Sequence, residues 1–227
     1  MKSVAMPSVR RSPWRSTVGG VAGPGSGCEN AALLHPTMST LNYRTHALNA
    51  VANKESDAKV ARRIYLSYPT FAFRDHPEKE FDLKDSIASK FGIDIFSIHF
   101  AGSGKTGESY HKTANFIPGK SDLDTSIISA RLFLKYLEIS TEITDQFKDR
   151  TKFKDNDEFR QFTGYLKKGI LIPECMPICQ EKLDWTQFFN NLSQNYIDLF
   201  DNVNCWIYST QKIFELKFSK TIELIRA

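Results

Sequence analysis

Between Leu41 and Leu66 the apolar residues recur at mostly helix-compatible intervals, through HALNAVANKESDAKVARRIYL, until Pro69 breaks the pattern. A short loop runs on through Pro77. FDLKDSIASKFGI then predicts a helix with Phe81, Ile87 and Phe91 on one side and Gly92 as its stop. DIFSIHFAGS is a β-rich run leading into glycine, and SDLDTSIIS predicts a second strand with Leu123 and Ile127 among its apolar positions. Helical spacing returns over 130–148 and 155–168. In DWTQFFNNLSQNYIDLF the positions Trp185, Phe188, Phe189, Leu192, Tyr196 and Leu199 form a stripe that belongs in a core. VNCWIYS, from Val203, is a strand candidate. The tail KIFELKFSKTIELI fits two periods: Phe214, Leu216 and Phe218 alternate, whereas Phe214, Phe218, Ile222 and Ile225 suit a helix. This order of elements predicts a compact α/β sheet with helices packed against it, without internal repeats.

The first 37 residues follow neither period. They hold five of the chain's twelve glycines and four of its nine prolines, and they cannot bury enough apolar surface to offset ordering. Their Arg-rich, acid-poor composition is that of a mitochondrial presequence, but the proline and glycine work against the amphipathic helix such a signal needs. Residues 1–37 are therefore expected to be a disordered extension or a start-site artefact, with Met38 as the functional start and 38–227 as one domain.

Charge is placed unevenly. Lys2, Arg10, Arg11 and Arg15 against Glu29 give the first 37 residues +3 of the chain's net +4, leaving 26 basic and 25 acidic residues in the body. A body so close to neutral lacks the bulk cationic signature of a nucleic-acid binder, so any contact with a polyanion has to be local. No run of 18 apolar residues exists, so no membrane span is expected. Cys175 and Cys179 are spaced C-x3-C with no second ligand pair at zinc-finger distance; with Cys28 and Cys205 they read as reduced thiols of a cytoplasmic protein.

The chemistry is concentrated in HFAGSGKTGESYHKTANFIPGKSDLD, residues 99–124. Gly104, Lys105 and Thr106 spell the end of a phosphate-binding P-loop, but the position five before Gly104 is His99, where that loop needs glycine. Asp122 and Asp124 carry more weight. Two residues apart on a strand, they share a face, and two carboxylates on one face repel unless a cation sits between them. Mg²⁺ suits the pair, being held by one or two carboxylates plus substrate phosphates. Gly102 and Ser103, at the end of the preceding strand, let the backbone approach a phosphate and offer it N–H groups and a hydroxyl, with Lys105 adding positive charge and Thr106 a second hydroxyl.

A Gly-Ser turn after one strand and Asp-x-Asp on the next resembles the polymerase-β-type nucleotidyltransferase superfamily. GSGKTG…F-x-PGKSDLD…IIS is similar to a bacterial nucleotidyltransferase-like group, some of whose members serve in phage defence or toxin–antitoxin settings. The resemblance spans roughly residues 80–135. It implies a nucleotidyltransferase-like α/β (α+β) fold, a small mixed β-sheet flanked by helices. It also implies a hydroxyl attacking the α-phosphate of an NTP with loss of pyrophosphate, and two Mg²⁺ ions held by catalytic Asp122 and Asp124. Gly102 and Ser103 would hold the β- and γ-phosphates, assisted by Lys105 and Thr106. The acceptor is left open among protein, nucleic acid and small molecule. Two departures stand out. Eighteen residues separate Ser103 from Asp122, and this insertion, with Tyr110, His111 and Lys112, reads equally as a lid, an acceptor-binding loop or a plain surface loop. The third carboxylate of active members has no evident counterpart: VNCWIYS holds no acid, and Glu174, Asp198 and Asp201 lie outside it. The alternative is a catalytically inactive relative that binds a nucleotide or a protein partner.

Overall fold

The structure, a computed structural model, describes residues 42–112 and 114–226. The extension expected over 1–37 and the start at Met38 lie outside the described residues. Among those described, eight helices accompany a four-stranded mixed sheet and a two-stranded ribbon, a mixed α+β architecture. In chain order the helices are α1 (Tyr43–Ala52), α2 (Asp57–Arg62), α3 (Pro77–Phe91), the single turn α4 (Gly102–Thr106), α5 (Ala130–Ile143), α6 (Asn156–Leu166), α7 (Gln180–Asn195) and α8 (Gln211–Arg226). The strands are β1 (Ile98–Ala101), β2 (Glu108–Ser109), β3 (Ala114–Asn115), β4 (Leu123–Ile128), β5 (Ile170–Leu171) and β6 (Val203–Tyr208).

The main sheet runs β1-β4-β6-β5. β4 pairs antiparallel with β1 and parallel with β6, and β5 closes the far edge antiparallel to β6. Side chains alternate across a strand, so each strand feeds two cores. Ile98, Phe100, Leu123, Ile127, Val203, Cys205 and Ile207 face one core with Leu83 and Ile87 of α3 and Trp185 and Phe189 of α7. Ala101 and Tyr208 face the other with Ala47 of α1, Val60 of α2, and Phe214, Phe218 and Ile222 of α8. Helices cover both faces, which is why the strands read as nearly continuous apolar runs.

Local signals set most boundaries. Ser129 caps α5 by accepting from Leu132 N, Asp155 caps α6 by accepting from Glu158 N, and Gly92 ends α3 in the left-handed conformation, φ 59°. Three expectations change. The helical run from Leu41 to Leu66 is two helices and a π turn, interrupted at 53–56 where Lys54 takes φ 59°. Phe81 points outward, 55 % exposed, and Leu83 takes its place beside Ile87 in the core. The two-period tail is helical: Phe214, Phe218, Ile222 and Ile225 are buried while Leu216 stays exposed. An ion pair ties α8 back to α2, with Arg62 Nε 2.7 Å from Glu215 Oε1 and Arg62 Nη2 2.8 Å from Oε2. Cys175, Cys179 and Cys205 carry free thiols. No helix among the described residues is long and apolar enough to cross a membrane.

Candidate functional site

Register brings the two halves of the motif together. Ala101, the last residue of β1, lies opposite Asp124 near the start of β4, so the chain enters the Gly-Ser turn at the sheet end where the aspartates emerge. Gly102 takes φ 63°, and a Cβ on it would stand 2.2 Å from Asp124 Oδ2. Only glycine allows both that conformation and that approach. The GSGKT letters then form the single helical turn α4, closed by Gly107 N donating to Ser103 O at 2.8 Å.

A cleft of about 200 Å³ opens here between the sheet, the β2–β3 ribbon and helix α8. Gly102, Thr106, Asp124 and Ser126 form its motif end, and Glu108, Tyr110 and His111 come from the insertion. Trp206 and Tyr208 of β6, with Lys217 and Phe218 of α8, make the opposite wall. Asp124 sits among these walls yet opens to solvent. Burial raises its pKa above the ordinary carboxylate value, the charge of Asp122 raises it further, and Lys112 and a hydrogen bond from Asn204 pull it back.

The expected site residues divide. Gly102, Thr106 and Asp124 line the cleft, whereas Ser103, Lys105 and Asp122 do not. Asp122 lies just before β4 and is exposed, near enough to Asp124 to act on it through charge. Lys105 is turned inward: the residue is 4 % exposed, and its ammonium donates to the Tyr68 carbonyl at 2.5 Å. Burial lowers its pKa to about 8, partly opposed by Glu80. It braces the turn before Pro69 rather than facing a ligand in the cleft. The Thr106 hydroxyl is engaged at Gly102 O, 3.0 Å, and Glu108 O, 2.7 Å.

The β6 position paired with Asp124 carries no acid. Asn204 is the β6 partner of Asp124, and Trp206 is the partner of Ser126. Asn202 Nδ2 donates to Asn204 Oδ1 at 2.6 Å, so Asn204 turns its N–H groups, not its oxygen, toward Asp124. Of the acids considered from sequence, Glu174 is half-buried on the opposite face, accepting from Trp185 Nε1 at 3.2 Å, and Asp198 pairs with Lys79 at 2.5 Å. Asp201 does not line the cleft. The other carboxylate in the cleft is Glu108, 3.5 Å from Arg44 Nη1. Sequence reasoning missed Asn204, an amide about eighty residues beyond the motif with no signal to single it out, and Trp206, which lies in the strand candidate VNCWIYS.

Asp124 and Asp122, whose charge raises the Asp124 pKa, are two neighbouring carboxylates of the kind that fit a single Mg²⁺ completed by ligand phosphates. Among the described residues no group of three or more His, Cys, Asp or Glu converges as a metal cluster, and the Asn204 amide does not supply the extra acid of a two-ion centre. No protein-family model, curated protein or solved structure matched the chain on comparison.

Proposed function

We propose that the chain binds a nucleoside triphosphate with Mg²⁺ at the Gly102–Asp124 end of the cleft, as a relative of the polymerase-β-type nucleotidyltransferases in which transfer is silent. One observation carries the reading: Gly102, at φ 63°, lies against the Asp124 carboxylate so closely that a Cβ would reach 2.2 Å from Oδ2. A turn whose backbone must pass that near an acid suits a phosphate chain and its counter-ion, which need N–H groups and carboxylates side by side. Asp122 and Asp124 would hold the ion, which neutralises phosphate charge when bound. Gly102 offers backbone approach, His111 of the insertion lines the cleft, and the charge of Lys112 acts on Asp124. About 200 Å³ is below the roughly 300–1,000 Å³ of pockets that enclose whole small ligands, so the cleft takes one end of the nucleotide and leaves the rest outside.

Silence follows from Asn204. Activating an attacking hydroxyl beside an already bound Mg²⁺ calls for a further anionic ligand, and the facing side chain is a neutral amide presenting hydrogen-bond donors. The test is calorimetry of the full chain with each of the four Mg²⁺–NTPs, alongside α-phosphate label transfer. Mg²⁺-dependent binding should weaken at least tenfold both in the Asp122→Ala/Asp124→Ala double variant and in Gly102→Ala, with no label transferred. Wild-type protein that binds no nucleotide would end the reading. Label transfer that the double variant abolishes would overturn silence alone and point to Glu108, the other carboxylate in the cleft, as the missing acid.

A further inference from the structure

The wall of the cleft opposite the aspartates has a chemistry of its own. Trp206 of β6 and Tyr165 of α6 meet edge to face, ring centroids 5.1 Å apart. Lys217 of α8 holds its ammonium 5.9 Å from both rings, and Lys168, just beyond α6, holds its own 5.0 Å from Tyr165. Lys220 stands one turn further along α8, and the charges of Lys168 and Lys220, added to burial, lower the Lys217 pKa. No carboxylate lies within ion-pair distance of these three lysines among the described residues, although ten other ion pairs form there. Like charges crowded together without acidic partners are costly unless an anion joins them.

Trp206 and Lys217 line the cleft itself, while Lys168 and Lys220 are exposed outside it. A single phosphate inside the cleft would meet Lys217 and leave Lys168 and Lys220 outside. A row that starts in the cleft and continues past its edge suits a chain of phosphates. An aromatic face within the cleft beside cations leading away from it is the pairing that single-stranded nucleic acids use, bases on rings and backbone on lysines. We infer that this rim binds a single-stranded nucleic acid, with a terminal base against Trp206 and successive phosphates on Lys217, Lys168 and Lys220. The near-neutral body does not oppose this, because the site is local. The inference uses residues separate from Gly102, Asp122 and Asp124, so it stands or falls apart from the nucleotide site.

The test is fluorescence anisotropy of labelled mixed-sequence 12-nucleotide DNA and RNA strands with the full chain, from 50 to 200 mM NaCl. Beside it runs the Lys168→Gln/Lys217→Gln/Lys220→Gln variant, after its melting curve shows that it folds. The variant should bind at least tenfold more weakly, and its slope of log affinity against log salt should be shallower by about 2, from about 0.7 per phosphate contact. Trp206→Leu should weaken binding several-fold with the slope unchanged, because it removes stacking and no charge. No strand binding at 50 mM NaCl would overturn the inference. So would affinity and slope unchanged in the triple variant, or displacement of the strand by an equal concentration of a nucleoside monophosphate.

Discussion

The Asp124 carboxyl keeps its proton to a higher pH in the folded chain than its ordinary value of 3.8, mainly through burial and then through Asp122. Between pH 3.8 and that raised value the native state holds a proton that the unfolded chain releases, so stability falls as pH rises through this window. At neutral pH the full cost is present. Asp124→Asn should therefore melt higher than wild type at pH 7, by an amount kept small by the solvent that reaches the carboxyl, and the gain should vanish below about pH 3.8, as differential scanning calorimetry at pH 3 and pH 7 would show. His99 titrates the opposite way, its pKa lowered to about 4 by burial and by Lys84 and Lys105, and its contribution cancels in the difference between variant and wild type. Added Mg²⁺ should raise the wild-type melting temperature and leave the variant nearly unmoved. At this scale the sequence was legible where one strand carries the message: the two-residue period places Asp124 on the cleft face. It misled at Lys105, because a lysine beside glycines looks available for phosphate until the fold buries it. Asn204 was illegible, since its meaning comes only from its pairing with Asp124 across β4 and β6.

Helices α3 and α7 were readable from their apolar stripes, and α7 shows what such a stripe supports. Trp185 is 1 % exposed, its ring 4.7 Å from both Phe91 and Phe189 and 5.7 Å from Tyr136, with its indole N–H donating to Glu174. Trp185→Ala removes the largest side chain in that core and leaves Glu174 without its donor. It should lower the unfolding free energy by about 3–5 kcal/mol in urea titration, while the fraction still folded binds ligand normally because the cleft lies on the other face of the sheet. The elements missed were the short ones. β5 is two residues at an edge and the β2–β3 ribbon pairs two against two, too little for any period to register. The break between α1 and α2 was hidden because the apolar spacing carries on across it, while Lys54 reverses the backbone with no glycine to announce it.

Across the whole molecule, two cores share one sheet, and the second depends on α1, α2 and α8 together. Removing α8 by ending the chain at Ser209 takes away Phe214, Phe218, Ile222 and Ile225, all buried, and exposes the apolar surfaces they cover. At about 1.5–3 kcal/mol for each side chain, the loss consumes most or all of the roughly 5–15 kcal/mol that holds an ordinary domain together. The shortened chain should show no cooperative thermal transition by circular dichroism; a sharp transition would mean that the α3–α7 core stands alone. The fold class was open to inspection from the order of elements. Which helices cover which face was not, because that depends on the parallel pairing of β4 with β6 across a long connection.

Synthesis runs in one direction, and α8 is the last described element to leave the ribosome. It brings Lys217, Phe218 and Thr221 to the cleft and Glu215 to Arg62, made about 150 residues earlier. Until that helix emerges, the aspartates, the glycine turn and Trp206 are already made but face an unfinished wall. A nascent chain stalled at Ser209 thus carries the whole motif and no enclosed cleft, so the site comes into being in time with the closing of the fold.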